Sequence, residues 1–103
     1  MYIMSSMSEA SSNGINGTLQ LMKLEAQEWK LQAEELKVSL KVAECKVAQS
    51  TSLYRRAKSI EGLQGIKNAT LEHERLEAQL KYALSKLTTT RAQITFLKKA
   101  ANI

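Results

Sequence analysis

The chain of 103 residues has no proline, one cysteine, one histidine, one tryptophan and one phenylalanine. Each scarcity excludes something. Without proline, no residue forces a helix to stop by removing a backbone donor and clashing with the preceding turn. The lone cysteine, Cys45, cannot form an internal disulfide, so a disulfide-stapled secreted scaffold is excluded and a reducing compartment fits best. Tyr2, Trp29, Tyr54, Tyr82 and Phe96 are the only aromatic residues, so any core has to be built from Leu, Ala, Val and Ile. No stretch approaches the roughly eighteen consecutive apolar residues of a membrane span, and the opening Met-Tyr-Ile-Met-Ser-Ser has no basic leader of a secretion signal. The expectation is a cytoplasmic protein with no membrane partner. In that setting the sequons Asn16-Gly17-Thr18 and Asn68-Ala69-Thr70 are chance matches.

What the chain does have is period. Ile15, Leu19, Met22, Ala26, Trp29, Ala33, Leu36, Leu40, Ala43, Val47, Ser50 and Tyr54 alternate at spacings of four and three. Ile66, Ala69, His73, Leu76, Leu80, Ala83, Leu87, Thr90, Ile94, Leu97 and Ala101 repeat that alternation. Apolar residues recurring in this way define the seam of a coiled coil. The fold expected is all-α, a long antiparallel helical hairpin of the coiled-coil type.

Residues 1–17 are rich in Ser, Asn, Gly and Met and read as a flexible tail. Thr18 is the expected N-cap of a first helix over residues 18–60, because its side chain can accept from a free backbone donor. Gly62 and Gly65 place the turn at 61–68. Asn68 or Thr70 would then cap a second helix over 69–101, completing a hairpin domain of residues 18–103. A connection that short makes the helices antiparallel neighbours. Charge agrees: each helix is acidic early (Glu25, Glu28, Glu34 and Glu35; Glu72, Glu74 and Glu77) and basic late (Arg55 and Arg56; Arg91, Lys98 and Lys99), matching its own macrodipole. An antiparallel fold also sets the basic end of the second helix against the acidic start of the first.

Heptad positions expose a second apolar side. With Met22 and Trp29 at d, the first helix carries Leu24, Leu31, Val38 and Cys45 at f and Leu21 and Val42 at c. Those positions lie away from the seam, where a simple two-stranded coil places charge. In the second helix Leu71, Ala78 and Ala92 at f, with Tyr82 and Phe96 at c, give a weaker version. Leu21, Leu24, Leu31, Val38, Val42 and Cys45 are therefore the candidate oligomer face. A thin two-helix core gains from such a face, since small chains bury a modest fraction of their surface. A homo-oligomer is expected, a dimeric four-helix bundle first, with a larger assembly or a helical protein partner as the alternatives.

Nothing marks a catalytic, cofactor or metal site. His73 stands in the seam beside Glu72, Glu74 and Glu77, where a polar residue fixes register more often than it does chemistry. Every glutamate between Ile15 and Ile60 lies off the a/d seam, whereas metal-binding bundles project several Glu and His inward. Gly62-Leu63-Gln64-Gly65 lacks the Lys and Ser or Thr of a phosphate-binding loop. The chain is read as non-enzymatic.

The formal charge of +5 and a pI near 9.5 open a polyanion reading. Lys46, Arg55, Arg56, Lys58 and Lys67 surround the expected hairpin tip with Glu61 as the nearby acid, and are the candidate polyanion-binding residues. In size and shape the chain is similar to the dimeric hairpins of viral suppressors of RNA silencing. That similarity implies contact with the backbone of duplex RNA, without a sequence code. Ser52-Leu53-Tyr54-Arg55-Arg56-Ala57-Lys58-Ser59 resembles part of the second helix of type III secretion needle subunits, which are polymerising helical hairpins, and the Ser-rich tail resembles the export signals of type III substrates. The eight-residue match precedes this chain's turn and lacks that family's proline-containing turn, so no site is carried over. The function expected is a structural or assembly subunit or small adaptor, a secretion-system-like subunit or a chaperone among its forms. The alternative is a dimeric duplex-RNA-binding hairpin.

Overall fold

The computed structural model describes the backbone over residues 2–101 and the side chains over residues 14–101. Two helices account for it: α1, Tyr2–Ala57, and α2, Ile60–Ala101. His73 meets Glu44 and, farther from the turn, Tyr82 meets Trp29, so the helices run antiparallel as a hairpin. The hairpin is a rod of 83 × 19 × 14 Å, its long dimension set by α1 alone, since 56 residues at about 1.5 Å each span about 84 Å.

The seam is where the period placed it. All twelve α1 positions from Ile15 to Tyr54 are buried or half-buried, as are the α2 positions from Ile66 to Leu97, while Ala101 is exposed. At the deepest points stand small residues: Ala33, Ala43 and Ala83, the last with 0 % exposure, beside Leu76, Leu87 and Thr90. Alanine lets the two backbones approach closely, and the leucines fill the layers between. Thr90 is buried without penalty because its hydroxyl donates to the Lys86 carbonyl at 2.8 Å, the usual solution for a threonine inside a helix. Among the described residues no buried side-chain nitrogen or oxygen lacks a partner, and no large side chain is completely enclosed. The core is one seam wide.

The turn falls earlier than the glycines suggest. Instead of residues 61–68, it is Lys58 and Ser59 between the two helices. Lys58 takes the left-handed conformation, φ 47°, and its amide donates to the Tyr54 carbonyl at 2.6 Å. That closes α1 in the way a C-terminal glycine commonly does. Ser59 then caps α2: its hydroxyl accepts from the Gly62 amide at 3.0 Å, satisfying one of the free donors of the first turn. Asn68 and Thr70 lie inside α2 and cap nothing, and the Asn68 carbonyl oxygen accepts from Gln64 Nε2 at 3.2 Å. At the other end, Thr18 is not an N-cap, because α1 starts at Tyr2 and the Thr18 hydroxyl donates back to the Gly14 carbonyl at 2.8 Å. The segment read as a flexible tail, residues 1–17, is instead helical from Tyr2 onward as the first turns of α1, and the side chains of residues 1–13 lie outside the described residues.

The two glycines of the expected turn are helical for different reasons. A Cβ on Gly62 would sit 3.2 Å from Ser59 Oγ and 3.3 Å from Tyr54 Cδ2, so this glycine permits the close return of α2 onto α1. A Cβ on Gly65 would meet nothing within 4 Å. Gly65→Ala is therefore expected to stabilise the hairpin by about 0.5–1 kcal/mol through helix propensity, and Gly62→Ala to gain less or to lose stability. Urea melts of the two variants check this, and an equal gain in both would disprove the close-approach role.

Candidate functional site

The first candidate surface is the outer side of α1. Its seam residues are occupied by α2, yet Leu21, Leu24, Leu31, Val38 and Val42 remain 49–68 % exposed, and the Cys45 thiol is exposed and unbonded. On α2, Leu71, Tyr82 and Phe96 are also largely exposed. Scattered apolar residues are normal on a protein surface, but five large aliphatics recur here at c and f along one side of one helix, with Glu28 and Glu35 at the intervening c positions, and exposed apolar groups collected on one side are a candidate interaction surface. One edge of it opens into a groove of about 380 Å³ between the helices, where Val38, Ser39 and Val42 face Glu72, Arg75 and Leu76. Arg75 clamps Glu72 through Nε to Oε2 at 3.0 Å and Nη2 to Oε1 at 2.6 Å. That hydrogen bond, opposed by burial and aided by the charges of Arg75 and Lys46, holds the Glu72 carboxyl below its ordinary range. The pair is exposed and contributes little to stability.

Trp29 fills a d position in the seam as expected and meets the Tyr82 ring edge-on, centroids 5.7 Å apart at 78°. Lys86 Nζ lies 5.4 Å from the centre of the same Tyr82 ring. His73 joins the helices: Nδ1 is 2.7 Å from Glu77 Oε1 on its own helix, and Nε2 is 3.7 Å from Glu44 Oε1 on α1. This suits a register-fixing residue. Among the described residues no three of His, Cys, Asp and Glu are grouped to hold a metal ion, and no described helix is long and apolar enough to cross a membrane.

Of the five tip cations, two line grooves and one forms the turn. Lys46 lines the groove beside Glu72 and Arg75, Arg56 lines a separate one with Gln49, Ser52 and Leu53, and Lys58 forms the turn. Lys67 and Arg55 share heptad position b. The like-to-unlike charge match along the rod is also incomplete. The basic end of α2 and the acidic start of α1 lie at the same level, but the three ion pairs among the described residues all involve His73 or Arg75.

Instead, Arg91 and Lys98 come up against Lys23 and Lys30. These four line a second inter-helix groove, about 290 Å³, with Ala26, Gln27 and Ile94 as the remaining wall. All four occupy e positions, and an antiparallel seam sets e beside e. The sequence held that signal, since Lys23, Lys30 and Lys37 repeat every seven residues and so do Arg91 and Lys98. Weighing charge along each helix, instead of around it, passed over it.

Comparison with protein-family models, with curated proteins and with solved structures finds no match for this chain.

Proposed function

We propose that this chain is a non-enzymatic assembly subunit or adaptor, a helical hairpin that associates with further copies of itself through the outer side of α1, in the first instance as a dimeric four-helix bundle. One observation carries this reading: the large aliphatic side chains from Leu21 to Val42 stand half to two-thirds exposed on the outer side of α1, while the seam completely encloses no large side chain. Burying an exposed leucine is worth about 1.5–3 kcal/mol, and a second hairpin laid against this side would supply the second layer that a two-helix rod lacks. Cys45 fits that use, as a small apolar residue at the end of the row. The alternative, duplex RNA held at the hairpin tip, has less support, because Lys46 and Arg56 line different grooves.

Sedimentation equilibrium across a wide concentration range tests the proposal. Two or more copies of the 11.5 kDa chain are expected. A single-chain mass at every concentration up to several hundred micromolar would remove self-association as the role of this face and leave a different helical protein as its occupant.

A further inference from the structure

We propose that the groove between Lys23 and Lys30 of α1 and Arg91 and Lys98 of α2 is a binding site for a chain of phosphates, the backbone of a nucleic acid or an inorganic polyphosphate. Four cations from two helices converge on one groove of about 290 Å³. None of them has a carboxylate within 4.0 Å among the described residues, whose ion pairs all lie elsewhere. Like charges held together without counterions raise the local potential and concentrate anions there.

The arrangement suits a linear anion better than a compact one. Lys23 and Lys30 are seven residues apart, as are Arg91 and Lys98, which is about 10.5 Å along each helix at 1.5 Å per residue. Antiparallel register interleaves the two rows, and Lys37 extends the α1 row by one further heptad. A single phosphate can reach only a fraction of such a row, whereas successive phosphates can follow it. Arg91 adds a planar fork suited to bidentate phosphate contact. Between the cations the wall is Ala26, Ile94 and the amide of Gln27, with no ring on which a base could stack. Contacts to phosphate position a ligand without reading its sequence, so binding is indifferent to sequence. The groove lies on the opposite side of the hairpin from the one lined by Val38 and Val42, and the inference does not depend on self-association.

Fluorescence anisotropy of the full chain with a labelled random-sequence RNA duplex, the matching DNA duplex and labelled inorganic polyphosphate tests it. Saturable binding is expected, and preference among the three probes identifies the source of the phosphate chain. Engaging about four phosphates gives a log–log salt slope of about −3.6 on duplex DNA, or a loss of about 150-fold between 50 and 200 mM salt. The variant Lys23→Gln, Lys30→Gln, Arg91→Gln, Lys98→Gln should weaken binding at least tenfold with its helical circular dichroism intact. A control that removes the same charge elsewhere, Lys46→Gln, Arg55→Gln, Arg56→Gln, Lys67→Gln, should weaken it much less. No binding at 50 mM salt would overturn the proposal. Equal losses in the two variants would overturn it too, by assigning the affinity to net charge. Polyglutamate bound as tightly as the phosphate probes would overturn it in favour of an acidic protein segment.

Discussion

Replacing Leu31 or Val38 by lysine will lower the native mass of the assembled protein while leaving its helical content almost unchanged. Both side chains are exposed in the hairpin, Leu31 at 49 % and Val38 at 65 %, so a lysine there costs little within one chain. In the assembled state the same lysine would be driven into an apolar interface. The loss of one aliphatic contact is worth about 1.5–3 kcal/mol, and the cost of desolvating an unpaired ammonium adds to it. At about 1.4 kcal/mol per tenfold change, each variant weakens association by a hundredfold or more. Light scattering at matched concentration gives the answer, and an unchanged mass for both variants would show that this side of α1 is not an interface. Lys41→Gln, a nearby change at position b, serves as the control and should leave the mass unaltered.

The second large effect is on stability. Leu87 is 7 % exposed and Leu84, three residues earlier, is 39 % exposed. Leu87→Ala removes buried methyl groups and leaves a gap in a core that has no second layer to relax inward, a cost of about 2–4 kcal/mol. For a chain of this size that is a large share of a total near 5–15 kcal/mol, and it should lower the midpoint of thermal unfolding by about 10–20 °C. Leu84→Ala should cost less, about 1 kcal/mol, because over a third of that residue already faces water. If the two variants melt together, the seam is not what holds the hairpin. Both melts belong at one fixed protein concentration, because association raises apparent stability by mass action.

The seam was fully legible in the sequence. Burial on a long helix is decided by angular position, and angular position follows from residue number alone at about 3.6 residues per turn. Even the mixed character of the seam survived, with Ser50, His73 and Thr90 at their expected places among the aliphatics. The exposed outer side of α1 was legible for the same reason.

The turn was less so. Glycine is the usual signal for a helix end, and Gly62 and Gly65 outweighed a quieter one. After Tyr54 the alternation would next fall on Ala57, Glu61 and Gln64, so apolar periodicity weakens from position 58 onward, before the glycines are reached. Lys58 is an uncommon left-handed residue, and Ser59 is followed three positions later by glycine instead of the glutamate of a capping box. Neither residue announces a boundary. The close crossing over Tyr54 leaves little room for a side chain at Gly62 inside the helix, and that crossing exists only once both helices are in place.

By itself, the sequence determined that the chain is two long helices with one apolar seam apiece and a second apolar side on the first, because periodic burial is a local property that each helix carries alone. Tertiary structure decided where the chain reverses and which charges become neighbours. Those depend on the register between helices, fixed by the packing of Ala33, Ala43 and Ala83 against the facing seam and by the short link at Lys58 and Ser59. A shift of one heptad would preserve the seam on both helices. It would also move Arg91 and Lys98 away from Lys23 and Lys30, and with them the basic groove.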